Sequence, residues 1–252
     1  MHLLLIRHAQ SANNALVTET AENPEGYLSM RVADPSITAL GVEQAEALGA
    51  WIGGVDPRPT RLYCSPMRRT IETAAPIAEA LDLPLVVEDF LYERSGPTDW
   101  NGHGFSAVPG TPRSELAAIT GRVRFPETVT ERGWYFQDVE TTRQAAARAA
   151  RIRDWVLEAH DPDDVVAIVA HGAIGALLLS AILAPQRQES LGGYAAGTEP
   201  WWFNLANTST SMIEMGPAGA TEVHWINRVD HLVVAGLVTG ASAHATGNPG
   251  TR

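Results

Sequence analysis

The sequence predicts a three-layer α/β/α sandwich: a mostly parallel sheet with an antiparallel edge strand, helices on both faces, and a long insertion. Three observations point to it. Leu3 to Ile6 and Val165 to Ala170 are short, unbroken apolar runs, the pattern of strands buried on both faces. Between them, strand-like and helix-like segments alternate, and right-handed crossovers turn such alternation into a parallel sheet. Near the end, Gly216-Pro217-Ala218-Gly219 separates two strand-like stretches as a hairpin signal, so at least one strand runs antiparallel.

The elements follow in order. The first strand ends abruptly in Arg7-His8, and the polar stretch from Ser11 to Gly26 reads as a helix start followed by a loop. Thr38 caps a helix whose apolar positions Val42, Ala45, Leu48 and Ile52 keep helical spacing, and Gly53-Gly54 stops it. Arg61 to Cys64 is a strand. Ser65-Pro66 then reads as an N-cap followed by proline at the first helical position, opening a helix with Ile71, Ala74, Ala78 and Leu81 on one face and a kink at Pro76. Leu83 to Val87 supplies another strand. From Ser95 to Asp138 the pattern breaks into Gly, Pro, Ser and Thr with scattered aromatics, an inserted lid or a satellite core. Val139 to His160 resumes as a helix with Ala145, Ala149, Ile152, Val156 and Ala159 on one face, and strands follow over 209–215 and 222–227. Residues 1–232 thus read as one domain, and 233–252, rich in Gly, Ala, Ser and Thr, as a flexible tail.

Composition narrows the function. A chain of 252 residues, 45% hydrophobic, can bury the core of one large α/β domain. A net charge of -11 without any Lys/Arg run excludes a nucleic-acid surface. All 18 cationic residues are arginines; the absence of lysine removes Schiff-base chemistry and a P-loop together. The single cysteine, Cys64, excludes a disulfide framework and a Cys-rich zinc site, and fits a reducing compartment. With no leader and no run of membrane-spanning length, the reading is a cytoplasmic protein without a membrane partner.

Both buried runs end in histidine, at Arg7-His8 and at His171-Gly172. Ligands of open α/β sheets bind at the carboxyl ends of the strands, so these residues define an anion site that contains a nucleophile. Arginine suits a bidentate grip on phosphate oxygens.

Arg7-His8-Ala9-Gln10-Ser11-Ala12-Asn13-Asn14 resembles the Arg-His-Gly-Glu-Ser-x-x-Asn signature of the histidine phosphatase superfamily, the group that includes cofactor-dependent phosphoglycerate mutases. Further segments agree in order. Ile37 to Ala45 resembles its Leu-Thr-x-x-Gly-x-x-Gln-Ala helix start, and Ser65 to Ala74 its Ser-x-Leu-x-Arg-x-x-x-Thr-Ala element. Leu91-Tyr92-Glu93 matches its Leu-x-Glu motif, Ala170-His171-Gly172 its second histidine, and Asn207, Asn227 and His231-Leu232 resemble its closing strands.

The resemblance implies a phosphoric monoester hydrolase of histidine acid phosphatase type. His8 is then the nucleophile, forming a phosphohistidine, while Arg7, Arg69 and His171 hold the non-bridging oxygens. Glu93 protonates the leaving oxygen and then activates water. Asn14, Ser11 and Gly172 are the further substrate contacts, Gly172 through the amino end of the helix it starts. Arg69 carries a separate clue, because a cation in the first turn of a helix opposes the dipole until an anion binds.

Some residues depart from the pattern. Ala9 stands where the family has glycine, a cost if that backbone needs a positive φ, and Gln10 replaces glutamate. Asn13 and the segment Arg94-Ser95-Gly96-Pro97 lack the mutase branch's continuation, so mutase-type phosphotransfer is the alternative enzyme. A noncatalytic module that binds a phosphorylated ligand is the alternative outside catalysis. A thiolate loop at Cys64 fails because the sixth residue after it is Thr70, not arginine. Arg31 and Arg68 read as surface arginines. No cofactor is expected, and no metal, since His103, His160, His224, His231 and His244 show no paired ligand spacing. The expected partner is a small phosphorylated substrate, and Trp201-Trp202-Phe203 reads as packing or a homodimer contact.

Overall fold

The computed structural model describes residues 1–185, 202–216, 219–233 and 235–239. Its seven-stranded sheet has the order β6-β3-β2-β7-β1-β8-β9. The strands are β1 (His2–Arg7), β2 (Arg61–Cys64), β3 (Leu85–Val87), β6 (Val123–Arg124), β7 (Val165–Ala170), β8 (Thr210–Met215) and β9 (Thr221–Arg228). β4 (Thr98–Trp100) and β5 (Phe105–Ala107) form a separate hairpin. The two predicted apolar runs are neighbours at the centre, pairing in parallel with Arg7 opposite Ala170. The strand that runs against both its neighbours, β8, lies one place in from the edge, between β1 and β9.

Because successive strand residues face opposite sides, β1 feeds two cores at once. Leu4 and Ile6 join Leu48, Ile71, Ile77 and Leu85 beneath helices α3 (Ala39–Ile52) and α4 (Arg68–Leu81). Leu3 and Leu5 join Ile152, Val156, Leu177 and Leu178 beneath α6 (Thr142–Glu158) and α7 (Gly172–Leu183). The three predicted layers are therefore present, with the sheet between two helix pairs.

The structure revises several local expectations. The stretch after Ser11 holds two helices, α1 (Ala12–Glu19) and α2 (Pro24–Met30), because Asn23 caps the second and Pro24 opens it. Val42 is 44% exposed; the buried face of α3 is Gly41, Gln44, Ala45, Leu48, Gly49 and Ile52, which brings Gly49 against Pro76 of α4. Ala159 lies beyond the end of α6 and is exposed. Ser65 is not the N-cap of α4: the helix starts at Arg68 after Met67, which makes no side-chain cap, and the Ser65 hydroxyl accepts from Met67 N.

The insertion splits between the two expected roles. Trp134 and Tyr135 are buried in the first core with Tyr92, Phe125 packs on it, and β6 extends the main sheet, whereas Trp100 and Phe105 stack on the separate hairpin and Phe136 is exposed. After the short helix α8 (Asp230–Val233), the segment expected to begin a flexible tail is tied down as far as Thr239. Buried Gln44 donates to Leu237 O at 2.6 Å and to Thr239 Oγ1 at 2.8 Å, and Asn207 N donates to Thr239 O at 2.9 Å. Trp201 and residues 240–252 lie outside the described residues; Trp202 and Phe203 pack against the second core. No helix among the described residues is long and apolar enough to cross a membrane.

Candidate active site

Central pairing of β1 and β7 sets His8 beside His171, their ring centroids 5.2 Å apart in an edge-to-face arrangement. His8 Nδ1 lies 2.6 Å from Ala9 O. A carbonyl oxygen only accepts, so Nδ1 carries the proton and Nε2 keeps its lone pair. Arg69 Nε donates to that Nε2 at 3.2 Å. Burial, reinforced by Arg69 and Arg7, holds His8 well below the ordinary histidine range, so the ring is neutral at pH 7. His171 is depressed in the same way, by burial and then by Arg69 and His8. Its Nε2 meets Ser65 Oγ at 2.9 Å, and its buried Nδ1 has no hydrogen-bond partner among the described residues.

Two arginines complete the cluster. Arg7 donates through Nη1 to Leu205 O, and burial lowers its pKa to about 10. Its guanidinium lies against Gly172, whose missing side chain would come within 3.4 Å of Arg7 Nε. Arg69, at the start of α4, has Asp34 Oδ1 3.8 Å from its Nη1. Asp34 is itself fixed by Arg68 N and by Thr111 Oγ1, so the insertion braces this arginine.

Glu93 reaches the same place from the loop after β3. Its Oε2 accepts from Ala173 N at 3.0 Å, and its Oε1 from Ile174 N at 2.9 Å and Arg94 N at 2.7 Å. The carboxylate thus occupies the amino end of α7, where the free N–H groups and helix dipole favour an anion. A tight turn aims it: Gly96 N donates to Glu93 O at 2.9 Å, and Gly96 has φ +72° where a β-carbon would fall 2.4 Å from the Tyr135 ring.

The expected substrate contacts separate. Gly172 borders the cluster at the first turn of α7. Ser11 does not present a free hydroxyl: it caps α1, donating to Asn14 Oδ1 at 3.1 Å and accepting from Asn14 N. Asn14 completes that capping box, and its Oδ1 also accepts from Asn207 Nδ2 at 3.2 Å, which leaves its amide N–H groups as the donors it can offer. Arg68 pairs with Glu72 and Glu115 on the surface, as expected. Arg31 is more engaged than a surface arginine: it donates to Thr98 O and stacks on Phe105, joining α2 to the hairpin.

Sequence reasoning quoted the groups behind the cluster within motifs but gave them no role. Thr73 Oγ1 accepts from Ala9 N at 3.0 Å and donates to Arg69 O, coupling the loop that carries His8 to the helix that carries Arg69. Asn207 Nδ2 donates to His8 O at 3.1 Å. Ala9 carries no conformational penalty: among the described non-glycine residues, positive φ occurs at Asp82, Ser95, Thr208 and Asn227. Gln10 accepts from Thr38 Oγ1 at 2.8 Å, a bond its amide oxygen makes as a carboxylate would. Cys64 is fully buried in β2, and burial pushes its thiol far above the ordinary range, so no thiolate is available there.

The ends of β1 and β7 thus present two buried, neutral histidines beside buried Arg7 and Arg69, a cluster whose charge suits an anion. The profile of the histidine phosphatase superfamily (branch 1) matches residues 3–228, and the chain belongs to that family. A Schizosaccharomyces pombe protein named as a probable phosphatase is 25% identical over 187 residues, 73% of this chain and 57% of that protein, so the chain spans a little over half the length of that curated relative. Among solved structures, the mycobacterial glucosyl-3-phosphoglycerate phosphatase is 19% identical, with a TM-score of 0.56 over 90% of this chain and 99% of the other. An Entamoeba histolytica phosphoserine phosphatase variant in complex with phosphoserine is 18% identical, with a TM-score of 0.55 over 92% and 99%. At these identities the likeness is one of fold.

Proposed function

We propose that the protein is a metal-independent phosphatase that hydrolyses a phosphomonoester through a phosphohistidine on His8. The observation that carries this reading is the fixed tautomer: the Ala9 carbonyl holds the proton on Nδ1, which leaves Nε2 as a nucleophile among cationic groups. In the first step Nε2 attacks phosphorus and the ester P–O bond breaks. Glu93, which takes up a proton from solvent as the bound substrate displaces its backbone donors, delivers it to the departing oxygen. In the second, Glu93 takes a proton from water, the resulting hydroxide attacks phosphorus, and the P–N bond breaks to release phosphate and neutral His8. Arg7, Arg69 and His171 meet the charge on the non-bridging oxygens throughout.

Glu93 must let go of a backbone donor before it can exchange a proton. The incoming phosphoryl group supplies the reason, because its oxygens compete for Ala173 N and Ile174 N at the amino end of α7. Substrate binding thereby turns the carboxyl group from a helix cap into an acid.

The test is hydrolysis of p-nitrophenyl phosphate in excess EDTA, with His8→Ala beside the parent. Activity that survives chelation and is lost in the variant, with phosphate trapped on the parent as an acid-labile phosphohistidine, is the expected result. Loss of activity on chelation would overturn the mechanism.

A further inference from the structure

At the amino end of β1, roughly 20 Å along the strand from His8 at 3.3 Å per residue, three ligating side chains meet that the chain keeps far apart. They are His2 on β1, Glu214 on β8 and His224 on β9, and their ligand atoms all lie within 4.8 Å of one another. Among the described residues no other trio of His, Cys, Asp or Glu comes together in this way. His2 and Glu214 are direct register partners. His224 arrives by a bulge: Met212 pairs with Trp225 and Ile213 with Val223, which leaves His224 as the extra residue. A bulge re-aims a side chain, here toward the same carboxylate.

Two features of the cluster point to a cation. The Nε2 atoms of His2 and His224 lie 3.5 and 3.6 Å from Glu214 Oε2. A charge-assisted hydrogen bond would be shorter, at about 2.7–2.9 Å. Two ligands on a tetrahedral zinc ion with bonds of about 2.0–2.1 Å stand roughly 3.3–3.5 Å apart. In addition, Glu214 stands directly opposite Glu222, a like-charge cross-strand pair that opposes sheet formation. A cation on Glu214 relieves it.

The geometry points to a divalent transition-metal site at His2, Glu214 and His224, with zinc as the ion. Two imidazoles and one carboxylate fill three of four tetrahedral positions, and water takes the fourth. Imidazole ligands select against magnesium and calcium, which take oxygen. The side chains are 23%, 44% and 32% exposed, so the ion enters from solvent. Its position makes it a clamp across β1, β8 and β9 and keeps it apart from phosphoryl transfer.

Untagged protein, stripped with EDTA and desalted, is titrated with Zn²⁺ by calorimetry, and with Co²⁺ as a spectroscopic probe of tetrahedral coordination. His224→Ala and Glu214→Gln are compared with the parent, and circular dichroism checks that both fold. One ion per chain in the parent, a rise in Tm on zinc addition, tetrahedral cobalt bands, and a loss of more than roughly tenfold in affinity in each variant, the loss that even outer-shell changes cause, are expected. Absence of stoichiometric uptake, or uptake that survives both substitutions, overturns the proposal and leaves the histidines as ion-pair partners of Glu214. Neither result depends on whether the protein hydrolyses phosphate.

Discussion

Arg69 Nε donates to His8 Nε2 across 3.2 Å, so the lone pair proposed to attack phosphorus is occupied by a guanidinium proton. A phosphoryl group has to draw that hydrogen bond to its own oxygens before the imidazole is free, which makes binding and unmasking one event. Arg69→Ala therefore releases the nucleophile yet removes a charge that phosphoryl transfer uses. His8, depressed first by burial and then by Arg69 and Arg7, is expected to titrate closer to the ordinary histidine value in this variant, as followed by NMR. Activity should nevertheless fall by about 10²–10³-fold in kcat. An unchanged His8 titration would show that Arg69 does not contribute to the depression.

Ser65 touches the histidine pair through His171. Its Oγ meets His171 Nε2 at 2.9 Å and accepts from Met67 N at 3.1 Å, ahead of a helix that lacks a side-chain cap. His171→Ala should cost about 10²–10³-fold in kcat, the usual loss of one oxyanion donor. Ser65→Ala leaves that imidazole in place but unheld. Steady-state kinetics should show a smaller fall, carried by kcat more than by KM; a loss equal to that of His171→Ala would give Ser65 a direct role.

The depressed histidines also fix the direction of acid sensitivity. His8 and His171 lie well below 6.5 in the folded protein, and burial brings His231 to about 4. The unfolded chain protonates all three near 6.5 while the folded chain does not, so the unfolded state binds more protons. Their contribution to stability is complete above about pH 6.5 and declines as pH falls toward the folded values, by at most about 1.4 kcal/mol per pH unit for each fully buried ring. Urea midpoints at pH 7.5, 6.5 and 5.5 should fall in that order. Equal midpoints would contradict the burial of neutral imidazoles.

Arg148 fixes the segment that leads to Glu93. It pairs with buried Glu140 at 2.6 Å, donates to Phe90 O and Tyr92 O at 2.9 and 2.8 Å, and stacks 3.7 Å over Tyr92. Arg148→Met leaves a buried carboxylate without its partner, a loss of about 3–5 kcal/mol by chemical denaturation. The double variant Arg148→Met with Glu140→Leu should recover part of it, short of the two carbonyls still unmet. Full additivity of the two single changes would show that the pair is not coupled.

The fold was legible where periodicity reports burial. Leu3 to Ile6 and Val165 to Ala170 had to be strands covered on both faces, and histidines following them had to sit at one edge of the sheet. Boundaries were less legible, because Ser65 reads as a cap in one dimension while its hydroxyl is claimed in three by His171. Ser11 shows the same competition: the hydroxyl expected at the substrate also caps α1. The trio of His2, Glu214 and His224 was invisible to ligand spacing, since strand register and a bulge bring it together.

The pairing of β1 with β7 has a kinetic consequence. It joins residues 2–7 to residues 165–170, so a loop spanning most of the chain closes before the two histidines become neighbours. Contacts between partners so distant in sequence form slowly, because closure entropy is lost before they return any stabilisation. On refolding, helical circular dichroism should return well ahead of the pocket, and recovery of phosphate binding would then serve as a clock for the centre of the sheet.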